Sequence, residues 1–290
     1  MSFKIVTDTS CNLTYDLIKK YDIGLLSLAY VADGVEHPSS ITEDNSEAKE
    51  FYARLRNREQ VSSACINSFV AKEYLEKLAK AGTDFLYVSL SGPVSGSAEN
   101  VQKAINELKE QYPEVKMLFV DSLTVSSAYG AMVVEAAKLR EKGKKIDEVY
   151  KWLEENKLKA CAFFTVDNLY WLKKGGRISG TLALIGTVLS LKPIIKMNNE
   201  GKPVSGGKKI GRKASIYGLA EIVAEKIENA NNQTIYIGHG DCVEDAEILK
   251  AHIQKLVPDA KYFVLNYVEF IMGVHGGPGA VSVFFFGKDR

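Results

Sequence analysis

Residues 89–97 of this 290-residue chain read Ser-Leu-Ser-Gly-Pro-Val-Ser-Gly-Ser, a run that could hold an anion. Ser89, Ser91, Ser95 and Ser97 supply hydroxyls, and backbone N–H groups beside Gly92 and Gly96 stand where a helix is expected to begin. Helix starts carry partial positive charge, so a carboxylate or phosphate would suit this turn. Serine and glycine also punctuate ordinary strand-to-helix turns. Four serines in nine residues nevertheless exceed what one cap uses, and α/β sheets bind ligands at the carboxyl ends of their strands. A second hydroxyl pair, Ser62 and Ser63, lies in the elbow Val61–Asn67, where helix capping is the plainer use. A third feature is Gly273-Val-His275-Gly276-Gly277-Pro278-Gly279, which clears side chains from around one imidazole. Hydroxyl and imidazole donors to an anion make charge-assisted bonds, roughly twice as strong as neutral ones.

Hydrolytic chemistry is the alternative. Ser91 and His275 could pair, with Asp8 or Asp121 orienting the ring, as an esterase or thioesterase. The Gly-x-Ser-x-Gly elbow is missing, because Pro93 stands two residues before Ser95. Residues 201–208 resemble a phosphate loop but Gly207 displaces the lysine, and residues 238–243 hold two of the three glycines of a dinucleotide fingerprint. Cys11, Cys65, Cys161 and Cys242 are too scattered for a disulfide framework or a zinc site, so no metal and no cofactor are expected. With 37 basic and 36 acidic residues the net charge is +1, so nothing draws the whole chain to nucleic acid. The start lacks a signal-peptide pattern, and the apolar stretch Ile178–Ile195 is broken by Lys192 and Pro193. A cytoplasmic protein without membrane insertion is the expectation.

The elements that must position these groups alternate. Strands are expected at Lys4–Val6, Leu25–Tyr30, Phe85–Val88 and Met117–Val120, with helices at Leu13–Tyr21, Glu47–Arg58, Phe69–Ala81, Ala98–Gln111 and Ser127–Lys142. Such alternation argues for a parallel sheet with helices on both faces. Val31–Ile41 reads as irregular. Beyond Lys157 the segments lengthen, which divides the chain into 1–157 and 158–290. The second part holds strands at Ala160–Val166, Thr234–Gly238, Tyr262–Val268 and Val281–Phe286, and the nearly all-apolar Thr181–Leu191. A helix apolar all round is buried or faces something greasy. Core packing is the commoner reason, an acyl-chain tunnel the sharper one.

Several of these motifs occur in one order: Lys4-Ile-Val-Thr-Asp-Thr-Ser, Ser62-Ser63, Ser91 with Ser95-Gly96-Ser97, Asp121-Ser122, Leu172-Lys-Lys-Gly-Gly-Arg-Ile-Ser179, Lys192-Pro-Ile-Ile195 and Gly273–Gly279. In this the chain resembles the DegV family of fatty-acid-binding proteins, which includes the FakB-like lipid-binding subunit of bacterial fatty acid kinase. The resemblance implies an N-terminal parallel-sheet α/β domain, a C-terminal mixed-sheet α/β domain and one long-chain fatty acid between them, such as palmitate, stearate or oleate. It implies a carboxylate held by Ser62, Ser91 and His275, with Ser63, Ser95, Gly96, Ser97 and Gly276 as further contacts. Arg177 would stand at the entrance or at a partner contact. Ile178, Leu182, Ile185, Leu189 and Ile194 would wall the acyl tunnel. The implied partner is a separate ATP-dependent fatty acid kinase, and the chain itself would be a carrier rather than an enzyme. A sensor whose lipid occupancy alters a protein contact is the third reading. Cys65, where the family commonly has proline, and Gly276, where it has threonine, depart from the pattern while leaving hydroxyl donors and a pliant turn.

Overall fold

The computed structural model describes residues 3–44, 46–178 and 191–290. Apolar runs of Val, Ile, Leu and Phe place β1 (Lys4–Asp8), β2 (Ile23–Leu26), β6 (Phe85–Ser89) and β7 (Met117–Asp121) in a parallel sheet of order β2-β1-β6-β7. Every residue of β6 is buried, as expected of a strand covered on both faces. The second sheet has the order β10-β9-β8-β13-β11-β12, built from β8 (Ala160–Thr165), β9 (Leu191–Met197), β10 (Pro203–Ile210), β11 (Thr234–His239), β12 (Tyr262–Tyr267) and β13 (Val281–Phe286). Its pairs are antiparallel except β11 with β12, which makes it mixed.

The helix Ser127–Glu141 lies between the two sheets, touching β1 and β6 on one side and β8, β11 and β13 on the other. Small residues let it fit. A Cβ at Gly130 would meet the Cys11 carbonyl and stand 3.0 Å from Leu13 Cδ2. Ala128, Tyr129, Met132, Val133, Ala136 and Ala137 are buried around it, so this helix is apolar on most of its sides. Most of Thr181–Leu191 falls outside the described residues, and Leu191 itself opens β9. The largest buried cluster joins Ile5, Leu86 and Val88 with Met197, Tyr236 and Phe284, so residues from both halves share one core.

Four expectations are corrected. Val31–Ile41 is irregular only from residue 39 onward: before it, β3 (Ala29–Ala32) and β4 (Val35–Pro38) form a hairpin. The elbow at Val61 is a strand, β5 (Val61–Ala64), which pairs β3 in a three-stranded antiparallel sheet. The next helix, Ser68–Lys80, is capped by Asn67, whose Oδ1 accepts from Val70 N at 2.8 Å, so Ser62 and Ser63 are released from that duty. The glycine-rich segment around His275 is largely helix, Phe270–Gly276, because Glu269 accepts from Ile271 N and Met272 N and anchors its first turn.

Candidate ligand-binding site

A cavity of about 110 Å³ opens between the sheets. Its wall is mainly apolar: Leu28, Leu90, Val94 and Val125 come from the first half, and Phe164, Leu172, Met197, Ile271, Met272 and Phe284 from the second. Polar side chains reach it at Ser63, Ser95, Ser126, Arg177, His275 and Ser282, and Cys65 and Gly276 complete the rim and turn.

Ser63 and His275 are bonded to each other, and Arg177 and Ser95 adjoin them through the backbone at Gly175 and Val94. Ser63 Oγ lies 3.0 Å from His275 Nε2. His275 packs on Gly175, where a Cβ would stand 2.8 Å from the ring Cε1. Arg177 donates from its guanidinium to the Gly175 carbonyl and from Nε to the Val94 carbonyl at 3.2 Å, one residue before Ser95. Ser95 Oγ accepts from Ser97 N at 3.3 Å and keeps its own proton to offer. Burial, helped by the positive Arg177, pushes the His275 imidazole down to about 4. At neutral pH the ring is therefore an uncharged donor–acceptor, and Arg177 is the one cation among the described lining residues.

The arrangement differs from the sequence expectation at several residues. Ser62 is exposed and does not line the cavity, whereas its neighbour Ser63 does, because successive side chains of a strand point to opposite faces. Ser91 is buried but donates to the Gly201 carbonyl at 2.7 Å, fastening the β9–β10 turn rather than lining the cavity. Ser97 accepts from Ile66 N at 3.1 Å and holds the chain after β5 against the helix Ser97–Gln111. Gly96 lies behind Ser95, with its Cβ position 3.7 Å from Cys65 Sγ. Ile194 is buried in the core of the second sheet and Ile178 packs beside Val166 and Ile195, neither on the described cavity wall. Leu182, Ile185 and Leu189 lie outside the described residues. Val125, Ser126, Met272 and Phe284 were invisible as wall residues, since no motif marks them.

Hydrolysis finds little support in this geometry. His275 Nδ1 has no hydrogen-bond partner among the described residues, so no acid orients the ring. Asp8 is buried and accepts from Ser10 N at 3.0 Å and from the hydroxyls of Tyr129 and Tyr87 at 2.7 Å and 3.2 Å. Asp121 accepts from Gly92 N and Leu123 N. Among the described residues no cluster of His, Cys, Asp and Glu could hold a metal, and no helix is long and apolar enough to cross a membrane.

Comparison with known proteins agrees with the architecture. Residues 2–288 match a family model described as an uncharacterised protein of the DegV family. A DegV domain-containing protein of Clostridium perfringens, CPE0026, is 39% identical over 288 residues, covering 99% of this chain and 98% of that protein. The crystal structure of SAG1342 from Streptococcus agalactiae, described as a fatty acid binding DegV family protein, superposes with a TM-score of 0.85 at 27% identity over 100% of both chains. A DegV family structure from Ruminococcus gnavus, described with vaccenic acid, gives 0.87 at 20% identity over 98% of this chain and 99% of that one.

Proposed function

Because the chain belongs to the DegV family, we propose that it binds one long-chain fatty acid in the cavity between its sheets and presents the carboxylate to a separate ATP-dependent fatty acid kinase. The acyl chain lies against Leu28, Leu90, Phe164, Met272 and Phe284. Burying each methylene contributes about 0.8 kcal/mol, so the tail supplies the affinity and the head fixes direction. Ser95 and the Ser63–His275 pair donate to the carboxylate, Gly276 lets it approach, and Arg177 balances its charge. The units 1–157 and 158–290 each contribute one wall.

The observation that carries this reading is an apolar cavity whose adjoining polar groups hold one cation and a neutral imidazole. A neutral ring can donate without bringing a second charge that burial would penalise. Cys65, at the rim, is exposed, which leaves the head group within reach of a partner enzyme. The protein is then a carrier, and its fatty acid is cargo. The 3.0 Å contact of Ser63 with His275 is the one feature that favours an esterase, and the ring lacks the acid that would complete it.

Native mass spectrometry after delipidation and addition of palmitate or oleate tests the proposal. A one-to-one complex is expected, weakened about tenfold or more in Arg177→Met, since hydrogen bonds to charged groups contribute roughly 1.5–3 kcal/mol. No acquired lipid would overturn it. Turnover of an acyl ester that vanishes in Ser63→Ala, without a stable complex, would establish the hydrolase instead. Acyl phosphate formation with an added bacterial fatty acid kinase and ATP tests the presentation step.

A further inference from the structure

One hydroxyl of the wall, outside that grip, is left unbonded among the described residues. Ser126 is only 4% exposed, yet it lines the cavity and its Oγ has no hydrogen-bond partner among the described residues. Buried hydroxyls are almost always bonded, so an orphan facing a cavity marks where a ligand atom belongs. Local structure explains why the hydroxyl is free. Ser126 precedes the helix Ser127–Glu141, where a serine ordinarily turns its oxygen onto the first-turn N–H groups. Here φ 54 and ψ −142 carry the side chain away from them, and no cap bond forms. Leu90, Val125, Met197 and Phe284 line the same cavity and belong to one apolar cluster. Ser126 has no bond to Ser63, His275 or Arg177.

We propose that the cavity has a second polar point at Ser126 and that it takes long-chain fatty acids bearing an oxygen on the chain, hydroxy fatty acids above all. A hydroxyl both donates and accepts, so it complements the serine in either sense, and the partial positive charge of the following helix favours the ligand's oxygen. This rests on the fatty-acid reading above. A plain saturated chain leaves the serine unmet, whereas one hydroxylated at the matching carbon satisfies both groups.

The test is titration calorimetry on the delipidated protein with octadecanoic acid and its 9-, 10- and 12-hydroxy derivatives. At least one hydroxy isomer should bind more tightly than octadecanoic acid, and its advantage should fall about fivefold or more in Ser126→Ala, as the net worth of one buried hydrogen bond implies. Octadecanoic acid should bind that variant as well as or better than the parent. Ser126→Gly, which accepts a positive φ without strain, should give the same loss and guards against a folding defect. If every isomer binds more weakly than octadecanoic acid, or if its preference survives both substitutions, the serine meets only a trapped water and the inference fails while the fatty-acid reading stands. If no acid binds at all, both fail.

Discussion

Replacing Gly175 by alanine puts the proposed head-group geometry under load without removing any group that would touch a ligand. Gly175 ends the short helix Tyr170–Lys174 with φ −77 and ψ −5, a conformation alanine adopts readily, so the backbone gives no reason for loss. The added methyl would stand 2.8 Å from His275 Cε1 and nearer still to Nδ1, where ordinary contact begins at 3.4 Å. The ring cannot escape by sliding its helix. Gly273, one half-turn earlier, already leaves only 2.8 Å between its own Cβ position and Phe51 Cε1 or the Tyr52 hydroxyl. The imidazole must swing, and Nε2 leaves its 3.0 Å contact with Ser63 Oγ. Overpacking of this kind costs about 1–3 kcal/mol of stability, readable by urea unfolding. Loss of a bond to a carboxylate should weaken octadecanoic acid about tenfold. His275→Ala in the same chain should abolish the stability cost, because the methyl then enters vacated space, and this double-mutant cycle isolates the clash. Unchanged stability in Gly175→Ala would refute the close packing. Unchanged affinity alongside lost stability would refute the place of His275 in the grip.

Three further outcomes follow from other residues. Glu269 and His275 sit at opposite ends of one helix with opposed titrations. Burial, with the nearby Asp8 charge adding to it, raises Glu269 to about 7, so its share of stability is full below about 4.5 and is lost as pH rises to 7; burial lowers His275 to about 4, so its share is full above 6.5 and is lost as pH falls to 4. His275→Gln should therefore leave stability declining between pH 4.5 and 7, and Glu269→Gln should leave it rising between pH 4 and 6.5, as urea midpoints across that range would show. Arg290→Ala should cost about 3 kcal/mol in urea unfolding, because the buried guanidinium donates to the carbonyls of Leu123 at 2.6 Å, Ser122 at 3.1 Å and Ala160 at 3.2 Å, which would lose that donor, and to that of Asn198, which keeps Gly201 N. Under native conditions a thiol reagent should modify Cys65 alone, since Cys11 and Cys161 are buried and the thiols of Cys161 and Cys242 are pushed up to about 11, and bound fatty acid should slow the reaction; fast labelling of a second cysteine would contradict this.

The parallel sheet was legible because its strands are continuous apolar runs separated by amphipathic helices, as in Phe85–Val88 followed by Ala98–Gln111. The β3–β4 hairpin was not, because its outer strand carries Glu36, His37 and a half-exposed Val35, with no core face to set a period of two. Reading Val61–Asn67 as an elbow left Ser62 and Ser63 equivalent, and only strand pairing with β3 decides that one faces out and the other toward His275. Ser91 carried every local mark of a ligand donor, yet its partner is the carbonyl of Gly201, 110 residues away, which no motif reports. Glycines at 273 and 276 suggested a loop because they weaken helices, while the buried cap at Glu269 supplies what the composition lacks.

The cavity is walled on one side by residues no later than Ser126 and on the other by residues from Phe164 onward. Whatever fills it acts as mortar, gluing two courses of masonry laid at different times during synthesis. Holding a cargo at a hundred times its dissociation constant adds about 2.7 kcal/mol to the folded state. Melting temperature thus becomes a gauge of loading, and a preparation stripped of its cargo should soften first along that seam.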